Sequence, residues 1–219
     1  MSKSDQRIIV VKRELLFGQD YFEGFRIGEE VDYESRIATG YKVMRRGSTE
    51  EPENHPEGNA ELNTQFKQPI GYSILINPKL KRVFAYHRSS VDLEYAERRL
   101  QGKWSWGFGG HIELSDAGNR NFIRQSALRE LKEEVRINGL IEKVDVLGYL
   151  NYDSDFIGKV HFGILYLFST NSDEVMPLDS EISKVVFCSL GELEKLCSSQ
   201  DVKVEEWSKL SLEPLRKIL

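Results

Sequence analysis

Hydrophobic residues recur along this chain with two periods, and the clearest pattern lies near its middle. Ile123, Ala127, Leu128, Leu131 and Val135 fall on one side when projected at 3.6 residues per turn, which predicts a helix whose apolar stripe faces a core. Shorter apolar runs bounded by turn-forming residues predict strands on either side of it. Residues 7–17 read as one strand, and residues 71–77 and 82–88 read as a β-hairpin joined through Pro78, Lys79, Leu80 and Lys81. Further strands are expected over residues 104–108, 144–152, 160–169 and 184–189. Ser189-Leu190-Gly191-Glu192 has the spacing of a capping box and predicts a helix through Leu196. Residues 205–219 read as a C-terminal helix interrupted near Pro214. The resulting pattern is α/β with a mixed sheet.

There is no internal repeat. The sharpest change of composition is the polar run at residues 47–63, which carries Glu50, Glu51, Pro52, Glu53, Pro56, Glu57 and Gly58 and reads as a mobile acidic loop. Residues 1–67 are expected to form an N-terminal extension, with Tyr21, Phe22 and Phe25 apolar enough to pack on a main domain at residues 68–200. A C-terminal helical segment is expected at residues 201–219.

The candidate chemistry is concentrated around the central helix. Gly109-Gly110-His111-Ile112-Glu113 precedes it, and adjacent glycines predict a tight turn that a ligand can approach closely. On the helix, Glu130, Glu133 and Glu134 are three and four positions apart and project from one flank of the stripe. Like charges so placed cost about 0.2–0.5 kcal/mol per pair. A divalent cation turns that repulsion into attraction, and oxygen ligands suit Mg²⁺, or Mn²⁺ in its place. The same three residues, taken without the glycines, also read as a solvated helix face.

Taken together, these residues resemble the signature of the Nudix hydrolases, which runs Gly, five residues, Glu, seven residues, Arg-Glu-hydrophobic-x-Glu-Glu-x-Gly-hydrophobic. Gly110 fits the first Gly, and Arg129, Glu130, Leu131, Glu133, Glu134 and Ile137 fit the second half. Asp116 stands where the first Glu belongs, which keeps the charge and shortens the reach. Residues 117–128 separate it from Arg129, so the loop is about five residues longer than the pattern; an insertion there leaves the helix in place. Arg136 occupies the last Gly position, so the left-handed turn that ends the helix is expected slightly later, at Asn138-Gly139. The lead-in Gln101-Gly102-Lys103-Trp104-Ser105-Trp106-Gly107-Phe108 also resembles the strand entering this motif. The likeness extends from about residue 69 to about residue 197, and the Gly-Phe-Gly-Gly stretch with the long loop looks like a branch described as predicted phosphoesterases.

The resemblance implies a helix-sheet-helix sandwich and a pyrophosphohydrolase that cleaves the diphosphate bond of a nucleoside diphosphate linked to another moiety. It implies that Glu133, Glu134 and the Gly110 carbonyl hold the metal. Glu130 would ligate it and orient or deprotonate the attacking water, and Arg129 would hold a helix carboxylate in place. A further carboxylate from a later loop completes the metal shell in several members. Glu181 is the first choice, with Asp153, Asp155 and Asp179 as alternatives.

Substrate contacts are less defined. Trp104, Trp106 and Phe108 alternate on one strand face and read either as a base-stacking surface or as core. Tyr152 and Phe156 are ambiguous in the same way. Arg88, Arg98 and Arg99 are candidates for a phosphate, and His111 for a substrate contact or a loop cap. His87 and His161 have no metal-ligand spacing with each other.

Composition narrows the alternatives. Of 219 residues 30% are charged and the formal charge is −5, so the basic surplus that neutralises a nucleic-acid backbone is missing and a polymeric nucleic-acid substrate is disfavoured. The apolar run near the N-terminus, Ile8 to Val11, is too short for a signal peptide or a membrane span, and a cytoplasmic protein is expected. Cys188 and Cys197 lack disulfide or metal spacing and are expected to be reduced. An isoprenyl-diphosphate isomerase shares the fold but, by resemblance, needs a catalytic Cys in its pocket, whereas both cysteines here lie far downstream of the signature. A nucleotide-binding regulatory module without turnover is the second reading. Self-association is left open.

Overall fold

The buried run Ile8-Ile9-Val10-Val11 is sheltered on both faces, as expected of a strand inside a layered fold rather than at its surface. It forms β1 (Arg7–Lys12), which pairs antiparallel with β3 (Tyr41–Arg45) and with the start of β4 (Phe66–Asn77). The computed structural model describes residues 3–49, 58–89, 100–118, 121–179 and 182–219. The centre of the acidic run at residues 47–63, and Arg98, Arg99 and Glu181, lie outside them.

The strand expected over residues 7–17 stops earlier, at Lys12. Arg13–Phe17 is a short helix, α1, in which the adjacent Leu16 and Phe17 are both buried while Leu15 is exposed. With β1 buried on both sides there is no alternation to mark its end, so strand and helix merge into one apolar run.

Two compact units divide the chain. The first comprises Met1–Tyr72, Gly109–Leu128 and Gly148–Ile164. It contains β1, α1, β2 (Gly24–Ile27), α2 (Tyr33–Gly40), β3 and α4 (Phe156–Val160), with parts of elements shared along the chain. Its core includes an aromatic cluster: Phe162 lies 5.8 Å from Phe17, 5.2 Å from Tyr33 and 5.8 Å from Tyr149 between ring centroids, distances at which aromatic pairs attract. Phe22 joins this core, whereas Tyr21 is exposed and its hydroxyl bonds Glu23 and Asp153.

The second unit comprises Ser73–Phe108, Arg129–Leu147 and Leu165–Leu219. The expected hairpin is present: β4 turns into β5 (Arg82–Arg88) with Ile76 opposite Val83 and Asn77 opposite Arg82. β5 carries β6 (Trp104–Ser105) and β12 (Ile182–Cys188) as antiparallel neighbours. β8 (Val135–Ile137) pairs with β11 (Val175–Pro177). The Ser189 capping box forms, Ser189 Oγ accepting from Glu192 N and the Glu192 carboxylate accepting from Ser189 N, and α5 (Leu190–Ser198) follows. α6 (Glu206–Arg216) runs through Pro214 without the expected interruption, because Pro214 sits in the final turn.

Among the described residues five elements carry residues of both units: β4, β7 (Gly107–His111), α3 (Phe122–Glu134), β9 (Ile141–Asn151) and β10 (His161–Thr170). The expected strand at residues 104–108 is therefore two, β6 and β7, broken at Trp106. With its large sheet and its helices the chain is mixed α/β, as expected. No helix among the described residues is long and apolar enough to cross a membrane.

Candidate functional site

The predicted helix is α3: Ile123, Ala127 and Leu131 of its stripe are nearly inaccessible and Leu128 is half-buried, while Val135, also buried, lies just past the helix in β8. Its first half needs room against β4. A Cβ on Gly71 would stand 2.6 Å from the Ala127 Cβ, closer than two carbons pack, so only glycine lets strand and helix approach this closely.

Gly109 serves the same close packing, and neither it nor Gly110 forms a turn. Both lie in β7, and neither has a positive φ. A Cβ on Gly109 would meet the Gly71 carbonyl oxygen at 2.9 Å and Ile70 Cγ2 at 3.1 Å. The tight turn expected from the glycine pair is thus replaced by a strand pressed on a strand. Gly139 also lacks the left-handed conformation expected for it. The helix instead passes straight into β8, because pairing of Val135 with Pro177 extends the backbone and Leu178 N caps the Glu134 carbonyl at 2.8 Å.

The carboxylates of α3 sit in the second unit. Arg129 Nη1 donates to Glu130 Oε1 at 2.7 Å and to Glu133 Oε2 at 3.2 Å, one guanidinium spanning two acids of one turn. Glu130 is largely shielded, with 16% of its side chain exposed, while Glu133 is 59% exposed. Glu134 is half-buried, and its negative charge helps raise the Tyr86 hydroxyl well above its usual pKa, behind the larger effect of burial. These are oxygen donors within one helical turn, which is the chemistry a hard divalent cation requires.

Of the later carboxylates, Asp179 adjoins this helix end: its backbone N–H approaches the Glu134 carbonyl at 3.4 Å. Asp153 and Asp155 are committed elsewhere. Asp155 caps α4 by accepting from Gly158 N. Asp153 pairs with Arg13 and, at 2.6 Å, with Lys67 Nζ, which is fully buried and also donates to the carbonyls of Gly158 and His161. Burial pushes Lys67 down to about 8. Asp116 accepts from Glu113 N at 2.9 Å and so pins the turn after β7.

The substrate candidates separate by burial. Trp106 is fully buried and its indole donates to Ser211 Oγ at 2.8 Å; Phe108 is fully buried and stacks on Tyr86 at 4.8 Å. Both are core side chains, which is the second of the two roles their spacing allowed. Trp104 is half-buried and its ring meets His87 edge-on. Arg88 lies over the Tyr86 ring and donates to its hydroxyl at 2.9 Å.

His111 belongs to a group that sequence spacing did not reveal. Its Nε2 lies 2.6 Å from Gln68 Oε1 and 3.3 Å from His161 Nε2, and both rings share a site with the carboxylate of Glu61. Desolvation, with the charges of Arg46, His161 and Lys3, holds the His111 pKa well below its ordinary value. The three residues are 50 positions apart or more, so no local motif could have found them.

A NUDIX domain model matches residues 67–207. Protein YmaB of Bacillus subtilis (strain 168) is 34% identical over 175 residues, covering 75% of this chain and 76% of that protein. The crystal structure of Tm1382, a candidate Nudix hydrolase, superposes with a TM-score of 0.72 at 24% identity, covering 98% of this chain and 100% of the other. The NUDIX domain of Shewanella oneidensis NrtR, crystallised with ADP ribose, gives 0.51 at 16% identity over 69% of this chain and 87% of its own.

Proposed function

Because the chain belongs to the Nudix hydrolase family, we propose that it hydrolyses the diphosphate bond of a nucleoside diphosphate linked to another moiety, using Mg²⁺ or Mn²⁺. The observation that carries this reading is the clustering of Glu130, Glu133 and Glu134 at the end of α3 with Arg129 bridging two of them. The donor set fits the ion: carboxylate oxygens, partly solvated, with no imidazole or thiolate among them. Asp179, whose backbone N–H lies 3.4 Å from the Glu134 carbonyl, is the loop carboxylate we add to them. When bound, the cation offsets the negative charge that develops on the phosphoryl oxygens.

Glu130 is the residue we assign to water. Its side chain is 16% exposed against 59% for Glu133, so a water held against it is the better screened from bulk solvent. Its hydrogen bond from Arg129 fixes its orientation. The water oxygen attacks one phosphorus, the bridging P–O bond breaks, and the proton passes to Glu130. The products are a nucleoside monophosphate and the phosphorylated second moiety.

The bound ADP ribose belongs to the NrtR domain alone. It makes ADP-ribose a sensible member of a substrate panel that also holds nucleoside triphosphates, dinucleoside polyphosphates, nucleotide sugars and NADH. Metal-dependent release of a nucleoside monophosphate that collapses in Glu133→Gln supports the hydrolase. Nucleotide binding with no turnover on any substrate transfers the reading to a regulatory module. The isomerase reading loses ground on its own requirement: burial raises the pKa of both Cys188 and Cys197, the opposite of an activated thiol.

A further inference from the structure

We infer that Glu61, His111 and His161 form a second cation site, built for a transition metal such as Zn²⁺ and separate from the carboxylates of α3. All three belong to the first unit, and one ligand atom from each lies within 4.8 Å of the others.

Three independent features point to a metal. The first is an unanswered carboxylate oxygen. Glu61 is 3% exposed; its Oε1 accepts from Arg46 Nε at 3.0 Å, while Oε2 is buried and has no hydrogen-bond partner among the described residues. A dry carboxylate oxygen without a donor is costly, and native structures answer such atoms with a proton, a water or an ion. Oε2 is the oxygen free to turn toward the two imidazoles.

The second feature is the distance between those imidazoles. His161 Nδ1 donates to the Ile157 carbonyl at 2.8 Å, which fixes its tautomer and leaves the lone pair on Nε2. That nitrogen faces His111 Nε2 at 3.3 Å. Two nitrogens bound to one tetrahedral Zn²⁺ at about 2.0–2.1 Å stand about 3.3–3.4 Å apart. The pair already has the spacing of two ligands on one ion.

The third is the support behind each ligand. Arg46 holds Glu61, the Ile157 carbonyl holds His161, and Lys67 Nζ holds the His161 carbonyl at 3.0 Å. Gln68 is fully buried and donates from Nε2 to the Ala60 carbonyl, which aims Oε1 at His111. On metal binding the His111 proton moves from Nε2 to Nδ1, its bond to Gln68 opens, and Gln68 Oε1 becomes available as a fourth donor. No net proton is lost if the ring only changes tautomer. Two nitrogens and a carboxylate select Zn²⁺ and its neighbours over Mg²⁺, for which imidazole is a poor ligand.

The site joins three distant stretches of the first unit: the turn at Glu61, the end of β7 and the start of β10. Its role is to clamp them, and the test therefore reads metal content and folding. The full-length chain is dialysed with Zn²⁺, desalted, and analysed for bound metal, beside Glu61→Gln, His161→Gln and the helix variant Glu134→Gln. The expected result is about one equivalent of Zn²⁺ in wild type and in Glu134→Gln, with affinity weakened on the order of 100-fold or more in Glu61→Gln and His161→Gln. Zn²⁺ should also raise the melting temperature of wild type and leave that of Glu61→Gln where it was. Because a variant can fail to fold, Co²⁺ is added to metal-free wild type alone; intense visible bands of a tetrahedral, nitrogen-ligated ion are expected. A wild-type chain that binds no Zn²⁺ and gives no such Co²⁺ bands overturns the proposal, as does Zn²⁺ lost in Glu134→Gln but kept in a folded Glu61→Gln.

Discussion

The acids of α3 and the acid of Glu61 face opposite physical problems. Glu130, Glu133 and Glu134 are crowded and only partly screened from water, and one guanidinium on the same helix already offsets part of their repulsion. Glu61 is solitary and dry, with one oxygen answered and one not. Crowded, hydrated carboxylates suit an ion that exchanges with substrate during turnover. A buried carboxylate beside two imidazoles suits an ion that stays. The same residue type thus carries opposite expectations, and the difference comes from water and neighbours rather than from charge.

The largest expected effect is on catalysis. Glu130→Gln removes the proton acceptor while preserving shape, and turnover on the responsive substrate should fall on the order of 10²–10⁴-fold, with urea unfolding changed by less than about 0.5 kcal/mol. A large loss of stability instead would make Glu130 a structural acid and erase the contrast with Glu61.

The next effect separates a half-buried from a buried carboxylate of the same unit. Asp153 answers both Arg13 and the fully buried Lys67. Asp153→Ala should cost about 3–5 kcal/mol, because it strands the lysine charge. Metal-free Glu61→Gln should cost less than about 1.5 kcal/mol, since its amide keeps an oxygen for Arg46 and Oε2 has no donor to lose. Urea denaturation in the presence of a chelator measures both, and equal losses would show that Glu61 is already satisfied.

Gly71→Ala probes the mounting of α3 instead of its charge. Its Cβ would collide with Ala127, so a loss of about 1–3 kcal/mol is expected, partly recovered in the double variant with Ala127→Gly. Additive losses would mean that the two sites do not share that contact.

The chemistry of α3 was legible because a helix writes its faces into local spacing. Three and four residues suffice to place Glu130, Glu133 and Glu134 on one turn, and 3.6-residue periodicity correctly buried Ile123, Ala127 and Leu131, though Leu128 is only half-buried and Val135 is buried from a strand. The glycines misled for a reason visible in the fold. A missing Cβ serves a left-handed turn and a close approach equally well, and only the position of Gly71 and Ile70 shows that Gly109 answers the second need. The Glu61 cluster left no trace in the sequence, since its members meet through strand pairing and a turn rather than through periodicity. Lys67 and Asp153 were equally silent: neither the burial of a lysine nor its partner 86 residues away can be read from the residues around it.

The smallest effect is a pH dependence. Burial alone would raise the Asp153 carboxyl, but hydrogen bonds from Arg13 and Lys67 outweigh it and hold it at about 2, below its ordinary 3.8. A depressed carboxylate contributes stability that is complete above the unfolded value and disappears as pH falls through the folded one. Stability should therefore decline between about pH 4 and pH 2, and the decline should flatten in Asp153→Asn. Acid unfolding of the two chains, followed by circular dichroism, checks the difference.

The most direct measurement is the binding of Mn²⁺, followed by electron paramagnetic resonance, to wild type, Glu133→Gln and Glu61→Gln. Mn²⁺ takes the oxygen ligands that Mg²⁺ takes and reports its own free concentration. The account predicts that affinity drops by about tenfold or more in Glu133→Gln and stays at the wild-type value in Glu61→Gln. Mn²⁺ affinity that is unaffected by Glu133→Gln would contradict the assignment of the hydrolytic cation to the acids of α3.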